Sequence, residues 1–267
     1  MANLEKLAAN YRLEGYNALL ADARVCQDIV LKAISESSLS RNVTIKGGVV
    51  MSGMTQAARR ATMDMDADFV SYSLSNVAIE KFVRGLDAHS DCSIAIEGPI
   101  ADLRQQEYKG KRFYLRVTDE NGYKVLTKLD LGVHTKVEVA QKEFKFDIIT
   151  DRRGVRILAN SKEQMFAEKL KSLLRLGTLS TRYKDVYDMY YLSDKINRTV
   201  LKNYFGLYIY QDRKMREKTP DAIVGRLRAV FDDALFRRQL RNKKFAWIDV
   251  PSNVVTQRII DFIRSVR

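Results

Sequence analysis

Apolar side chains at Leu4, Leu7, Ala8, Tyr11, Leu19, Leu20, Val25, Ile29, Val30 and Ile34 recur at helical spacing, which predicts one long helix or two in series over residues 3–37. Val43-Thr44-Ile45 then reads as a short buried strand running into Gly47-Gly48. A helix is predicted over 49–59, a strand over 63–70 and another helix over 76–87. From Asp91 the texture changes to strands, at 92–96, 112–118, 123–133 and 143–149. Asn121-Gly122 marks a hairpin between the second and third of these, because it supplies the positive φ angles a tight turn needs. After about residue 155 the pattern is helical again. Ser161, with Gln164 three positions on, has capping-box spacing, and the helix it opens, 162–176, closes at Gly177 as an αL residue. Further helices are expected at 184–195, 197–208, 221–240 and 252–266, with Pro220 and Pro251 where helix starts tolerate proline. The fold class is therefore α/β: a mixed sheet with flanking helices over 1–155, followed by a helical domain over 156–267.

Charge sharpens that division. The formal net charge is +13, yet residues 1–150 hold 20 Lys+Arg and 20 Asp+Glu, so the remaining 26 bases and 13 acids supply all of it. A neutral half joined to a strongly basic one points to a polyanion such as RNA as partner of the second half, against the plainer reading of a solubilising surface. Charged residues at 30% and hydrophobic ones at 46% exclude a disordered chain. No stretch approaches the roughly 20 apolar residues a bilayer span needs. The first 25 residues carry acids and bases throughout, so no membrane and a cytoplasmic location are expected. Cys26 and Cys92 are too few for a disulfide framework or a zinc cluster and are expected to be buried.

The chemistry concentrates in two places. Gly47-Gly48 at the start of a helix would present backbone N–H groups to phosphate, with Lys46 and Ser52 as added donors. Asp64, Asp66 and Asp68 alternate along the next strand and so share one face. Three like charges that close call for a cation. An EF-hand is excluded, since Phe69 and Ser75 stand where its Gly and Glu would be. A two-metal phosphoryl-transfer clamp needs a third carboxylate, for which Asp130 leads and Asp147 competes. Arg59 and Arg60, between glycines and acids, suit a triphosphate.

Ile45-Lys46-Gly47-Gly48 followed by Arg60-Ala61-Thr62-Met63-Asp64-Met65-Asp66 resembles the K-G-G…R-x-[ST]-x-D-[IM]-D pattern of the AbiEii-type nucleotidyltransferase toxins. Thr127-Lys128-Leu129-Asp130 is similar to that family's K-[IL]-D strand. Ala167-Glu168-Lys169-Leu170 is similar to its A-E-K helix, and Arg182-Tyr183-Lys184-Asp185-Val186-Tyr187-Asp188 to its R-D-h-h-D segment. Here Lys184, not Arg, directly precedes Asp185. The resemblance implies a DNA polymerase β-like nucleotidyltransferase fold and a toxin of a type IV-like toxin–antitoxin system, with a phage-defence role and a cognate antitoxin on a separate chain. It implies Mg²⁺, or Mn²⁺, on Asp64, Asp66 and Asp130. An NTP would be held by Lys46, Gly47, Gly48, Ser52, Arg60 and Lys169, with Lys169 oriented by Asp185 and Asp188. The implied reaction moves NMP from the NTP to an RNA 3′ end, with the tRNA acceptor favoured, which would block translation. Two rival readings keep the same residues: a nucleotidyltransferase that labels protein, and a non-catalytic RNA- or partner-binding protein with a degenerate site.

Overall fold

The computed structural model describes residues 2–103, 110–135 and 138–266. The chain divides into two units, Met1–Asn160 and Ser161–Arg267.

In the first unit the N-terminal helical pattern splits in two. Helix α1 (Leu4–Leu13) is capped by Asn3, and α2 (Ala18–Glu36) by Asn17, whose side chain accepts from the Leu20 amide. Between them Gly15 takes φ +95°. Nearly every position of α2 from Ala23 to Ile34 is buried, as expected of a helix surrounded by structure rather than lying on a surface. It packs on the sheet and on α4 (Asn76–Asp87). The strands are β1 (Val43–Lys46), β2 (Asp64–Phe69), β3 (Ser93–Leu103), β4 (Gly110–Thr118), β5 (Lys124–Val133), β6 (Lys142–Ile148) and β7 (Asp151–Ala159). They form one mixed sheet in the order β3-β4-β5-β2-β1-β7-β6. The pairs β2·β5 and β1·β7 are parallel and the rest antiparallel.

Alternation decides which face of this sheet is covered. Met65, Ala67 and Phe69 of β2 are buried, and Phe69 meets Phe82 of α4 edge-on with centroids 5.2 Å apart. Phe113, Leu115 and Val117 of β4 and Val125, Leu129 and Leu131 of β5 are buried with them. The intervening residues, the acids of β2 among them, belong to the opposite face.

The β4–β5 hairpin forms as expected, with Gly122 at φ +80° and Asp119 Oδ1 accepting from the amides of Asn121 and Tyr123. Other elements differ from expectation. The helix after the glycines, α3 (Gly47–Thr55), begins at Gly47 itself and stops where Gln56 turns left-handed, and residues 58–60 are a separate 3-10 turn. β3 runs on to Leu103 through an irregularity between Glu97 and Ala101. The strand β7 replaces the helical texture expected after 155 and carries the unit boundary to Asn160. Its buried Val155, Ile157 and Ala159 alternate with less buried neighbours, a period-two signal masked by the polar Asp151-Arg152-Arg153 start.

The second unit contains α5 (Lys162–Leu176), α6 (Tyr183–Ser193), α7 (Arg198–Phe205), α8 (Pro220–Asp232), α9 (Ala234–Leu240) and α10 (Ser252–Ser265). Ser161 caps α5 as expected, accepting from the Gln164 amide. Gly177 has positive φ, but its ψ of −135° is not that of an αL cap. The helix expected over 221–240 is two helices, because Asp233 leaves the helical region and caps α9. A π turn, Gly206–Tyr210, extends α7. Phe166 of α5 packs against Phe262 of α10 at 5.3 Å within this core.

Candidate active site

Three strands at the middle of the sheet build the first cluster. Register places Lys46 of β1 opposite Asp66 of β2, and Asp66 opposite Asp130 of β5; Asp64 is opposite Lys128, and Arg112 of β4 is opposite Asp130. Because side chains alternate, Asp64, Asp66, Asp68, Lys128, Asp130 and Arg112 share one sheet face. Asp66 and Asp130 are direct neighbours on strands spaced about 4.8 Å apart.

The glycines are shaped around this row. Gly47 takes φ +63°, and a Cβ there would lie 2.5 Å from Asp66 Oδ2. A Cβ on Gly48 would lie 2.9 Å from the Thr62 side chain. The start of β2 is held from behind, since Gln27 donates to Thr62 O at 3.0 Å and Thr127 to Met63 O at 2.9 Å. The backbone amides that open α3 thus sit beside the carboxylate of Asp66, at a helix end that favours anions.

Bases answer the acids pairwise. Lys128 Nζ lies 2.8 Å from Asp64, Lys46 Nζ 2.6 Å from Asp68, and Arg112 donates to both oxygens of Asp130 at 2.7 Å each. The hydrogen bonds and charge of Asp130 raise the guanidinium pKa of Arg112 above its ordinary value. Among the described residues no three carboxylates, histidines or cysteines converge as a ready-made metal cage. Asp64, Asp66 and Asp130 nevertheless offer hard oxygen donors on one face, in register, with charge that suits a divalent cation. The donor set fits such an ion by type and placement, provided Asp130 gives up Arg112.

Several sequence-derived assignments change. Asp147, the competing third carboxylate, is exposed on the edge strand β6, where it accepts from Gln56 Nε2 at 2.9 Å. Ser52 is 4% exposed, because the sixth residue of α3 faces inward rather than toward the helix's N-terminal amides. Arg60 is likewise 4% exposed within the 3-10 turn, while Arg59 is exposed. Lys46 is engaged by Asp68. Arg112 was missed altogether.

A second cluster stands in the helical unit. Lys169 of α5 contacts Asp185 at 2.5 Å and Asp188 at 2.9 Å, both on α6. Asp188 is fully buried, and its other oxygen accepts the indole N–H of Trp247 at 3.0 Å. Trp247 is the only tryptophan of the sequence. On the surface of the same unit Arg213, Lys214, Arg216, Arg237, Arg238 and Lys243 are exposed, whereas Tyr208, Phe236 and Trp247 are buried. Tyr204 and Tyr210 of the same unit are half-buried.

An α/β sheet with a glycine turn against paired aspartates, and a separately held lysine, defines the nucleotidyltransferase class. The family model of the nucleotidyl transferase AbiEii toxin, type IV toxin–antitoxin system, matches residues 29–248, and the chain belongs to that family. Among solved structures, the chain is similar to an antigenic nucleotidyltransferase-like protein from Paracoccidioides brasiliensis, with 12% identity, TM-score 0.43, and 82% of this chain and 92% of that chain covered. Among curated proteins none matches. Among the described residues no helix is long and apolar enough to cross a membrane.

Proposed function

We propose that this toxin transfers NMP from an NTP to an RNA 3′ end, with the tRNA acceptor as the favoured target, so that aminoacylation and translation stop. The observation that carries the reading is the register of Asp66 with Asp130, with Asp64 on the same face and Gly47 against Asp66. Asp64, Asp66 and Asp130 would hold Mg²⁺ or Mn²⁺, which when bound supplies Lewis-acid stabilisation and eases ionisation of the acceptor hydroxyl. The amides of Gly47 and Gly48 donate to phosphate oxygens at the start of α3. Lys169, fixed by Asp185 and Asp188, serves as a phosphate-binding cation, as the family resemblance implies. The acceptor hydroxyl oxygen bonds to the α-phosphorus as the bond to the bridging oxygen breaks; pyrophosphate leaves and the hydroxyl proton goes to water.

The exposed bases of the helical unit support RNA as acceptor through phosphate contacts. A cognate antitoxin on a separate chain, a cytoplasmic site of action and a role in phage defence belong to the same proposal.

The experiment is incubation with Mg²⁺, each labelled NTP in turn, and total tRNA. Label is expected on RNA with the wild-type chain and lost in Asp64→Ala. Transfer absent from wild type, or equal in Asp64→Ala, overturns the enzyme reading; label on protein alone selects the protein-modifying one. Charge reversal at Arg213, Lys214, Arg237 and Arg238 is expected to weaken RNA labelling while NTP binding stays as in wild type. Undiminished labelling would make the basic surface a solubilising one.

A further inference from the structure

Bases flank the paired acids across the strands of this sheet face. Lys46, Asp66, Asp130 and Arg112 form one row, and Asp64 faces Lys128 beside it. Arg112 grips Asp130 with Nε on one oxygen and Nη2 on the other, each at 2.7 Å. Such a fork takes up the directions from which a cation would approach the carboxylate. Arg112 itself is partly exposed, with 42% of its side chain open to solvent against 11% for Asp130. The guanidinium can therefore leave without unpacking the core.

Resting on the proposed function, we infer that Arg112 couples the binding of the divalent cation to that of the triphosphate by exchanging partners. Asp130 passes from the guanidinium to the cation, and the guanidinium passes to a phosphate oxygen. Each of the two side chains keeps an opposite charge only when both ligands arrive. A cation alone strands Arg112 beside another positive charge. A triphosphate alone, taking Arg112, strands Asp130 next to Asp66, with two carboxylates directly opposite each other. Each ligand therefore binds poorly without the other, and by reciprocity each tightens the other by one common factor. Lys128 on Asp64, at 2.8 Å, is placed to make the same exchange in the neighbouring row. Arg112 is a positioning residue for this reaction, and the preference it creates is for the metal–triphosphate complex over either component.

The test is calorimetry on the full chain with Mn²⁺ alone, with α,β-methylene analogues of the four nucleoside triphosphates in EDTA, and with both together. In wild type, Mn²⁺ is expected to tighten analogue binding by about 10-fold or more, within the usual range of coupling between sites. Arg112→Met is expected to bind Mn²⁺ alone about 10-fold tighter than wild type and to lose coupling by a similar factor. Arg112→Lys, which keeps the charge but cannot fork, should fall between, and it decides the matter if the Met variant fails to melt cooperatively. Arg116→Met, whose partner is Glu97, should leave both quantities unchanged. Wild-type Mn²⁺ affinity and coupling in the Arg112 variants would overturn the exchange even if the chain transfers nucleotide. No binding of the Mn²⁺–analogue pair by wild type would remove the proposed function as well.

Discussion

Replacing Lys169 by Met should destabilise the helical unit far more than loss of one surface lysine. Only 10% of its side chain is exposed, and it faces Asp188, which is not exposed at all. Removing one partner of a buried ion pair leaves an uncompensated charge and costs about 3–5 kcal/mol. The Trp247 N–H remains on Asp188 but brings no positive charge. Asp185, with 14% of its side chain exposed, keeps some water and adds less. With a urea slope near 2 kcal/mol/M, the unfolding midpoint should fall by on the order of 2 M. The emission of Trp247, the sole tryptophan, follows that unit directly. The double variant Lys169→Met with Asp188→Asn removes the stranded charge while its amide oxygen still accepts from Trp247. Its midpoint should recover most of the loss, leaving a deficit of about 1–2 kcal/mol for an imperfect hydrogen bond. Nucleotide transfer should not recover, because the ammonium is gone. A Lys169→Met midpoint equal to wild type, or a double variant no more stable than the single one, would refute the charge argument. Recovery of transfer in the double variant would refute the phosphate-binding role.

Gly47→Ala puts a side chain at φ +63° and a Cβ 2.5 Å from Asp66 Oδ2; a cost of about 1–2 kcal/mol in a thermal melt and a larger proportional loss of transfer are expected. Gly85→Ala in α4, where a Cβ meets nothing, should instead stabilise by about 0.5–1 kcal/mol and leave transfer intact. Burial pushes the Asp28 carboxyl pKa up, against the opposing charge of Arg24, so the folded state binds its proton more tightly than the unfolded state. Its contribution to stability is therefore fullest below the ordinary carboxylate range and is lost as pH rises through the folded pKa. Urea midpoints of wild type and Asp28→Asn across that range should converge or cross with rising pH, and parallel curves would refute the assignment.

Elements with long, unbroken periodicity were readable: α4 over 76–87 and α5 over 162–176 lie where the spacing put them. The shared face of Asp64, Asp66 and Asp68 followed from strand alternation alone. Breaks and partners were less legible. Asp233 looks like one polar residue in a helical run, yet its side chain caps the next helix and ends the previous one. Ser52 was assigned by nearness to the glycines, but helix phase turns it inward. Trp247 and Asp188 meet across 59 residues, a pairing that no local pattern encodes. Arg112 is different, because its signal was present. Counting outward from the Asn121-Gly122 hairpin, with Thr118 opposite Lys124, brings Arg112 opposite Asp130. Register propagated from a turn was the missing step.

The two charge clusters differ in how far solvent reaches one partner of each pair. Asp188 has no water to fall back on, so its partners Lys169 and Trp247 must stay, and the arrangement is rigid by necessity. Asp64 and Arg112 are each open over nearly half of their side chains, so solvent can bridge a change of partner at little cost. Under the proposed function, a face that is to accept a cation and a triphosphate, then release pyrophosphate, needs contacts of the second kind. Lys169, in its proposed role as a phosphate-binding cation, needs the first. The same residue types, aspartate with lysine or arginine at 2.5–2.9 Å, would thus serve as fixed support in one cluster and, in the proposed exchange, as replaceable partners in the other.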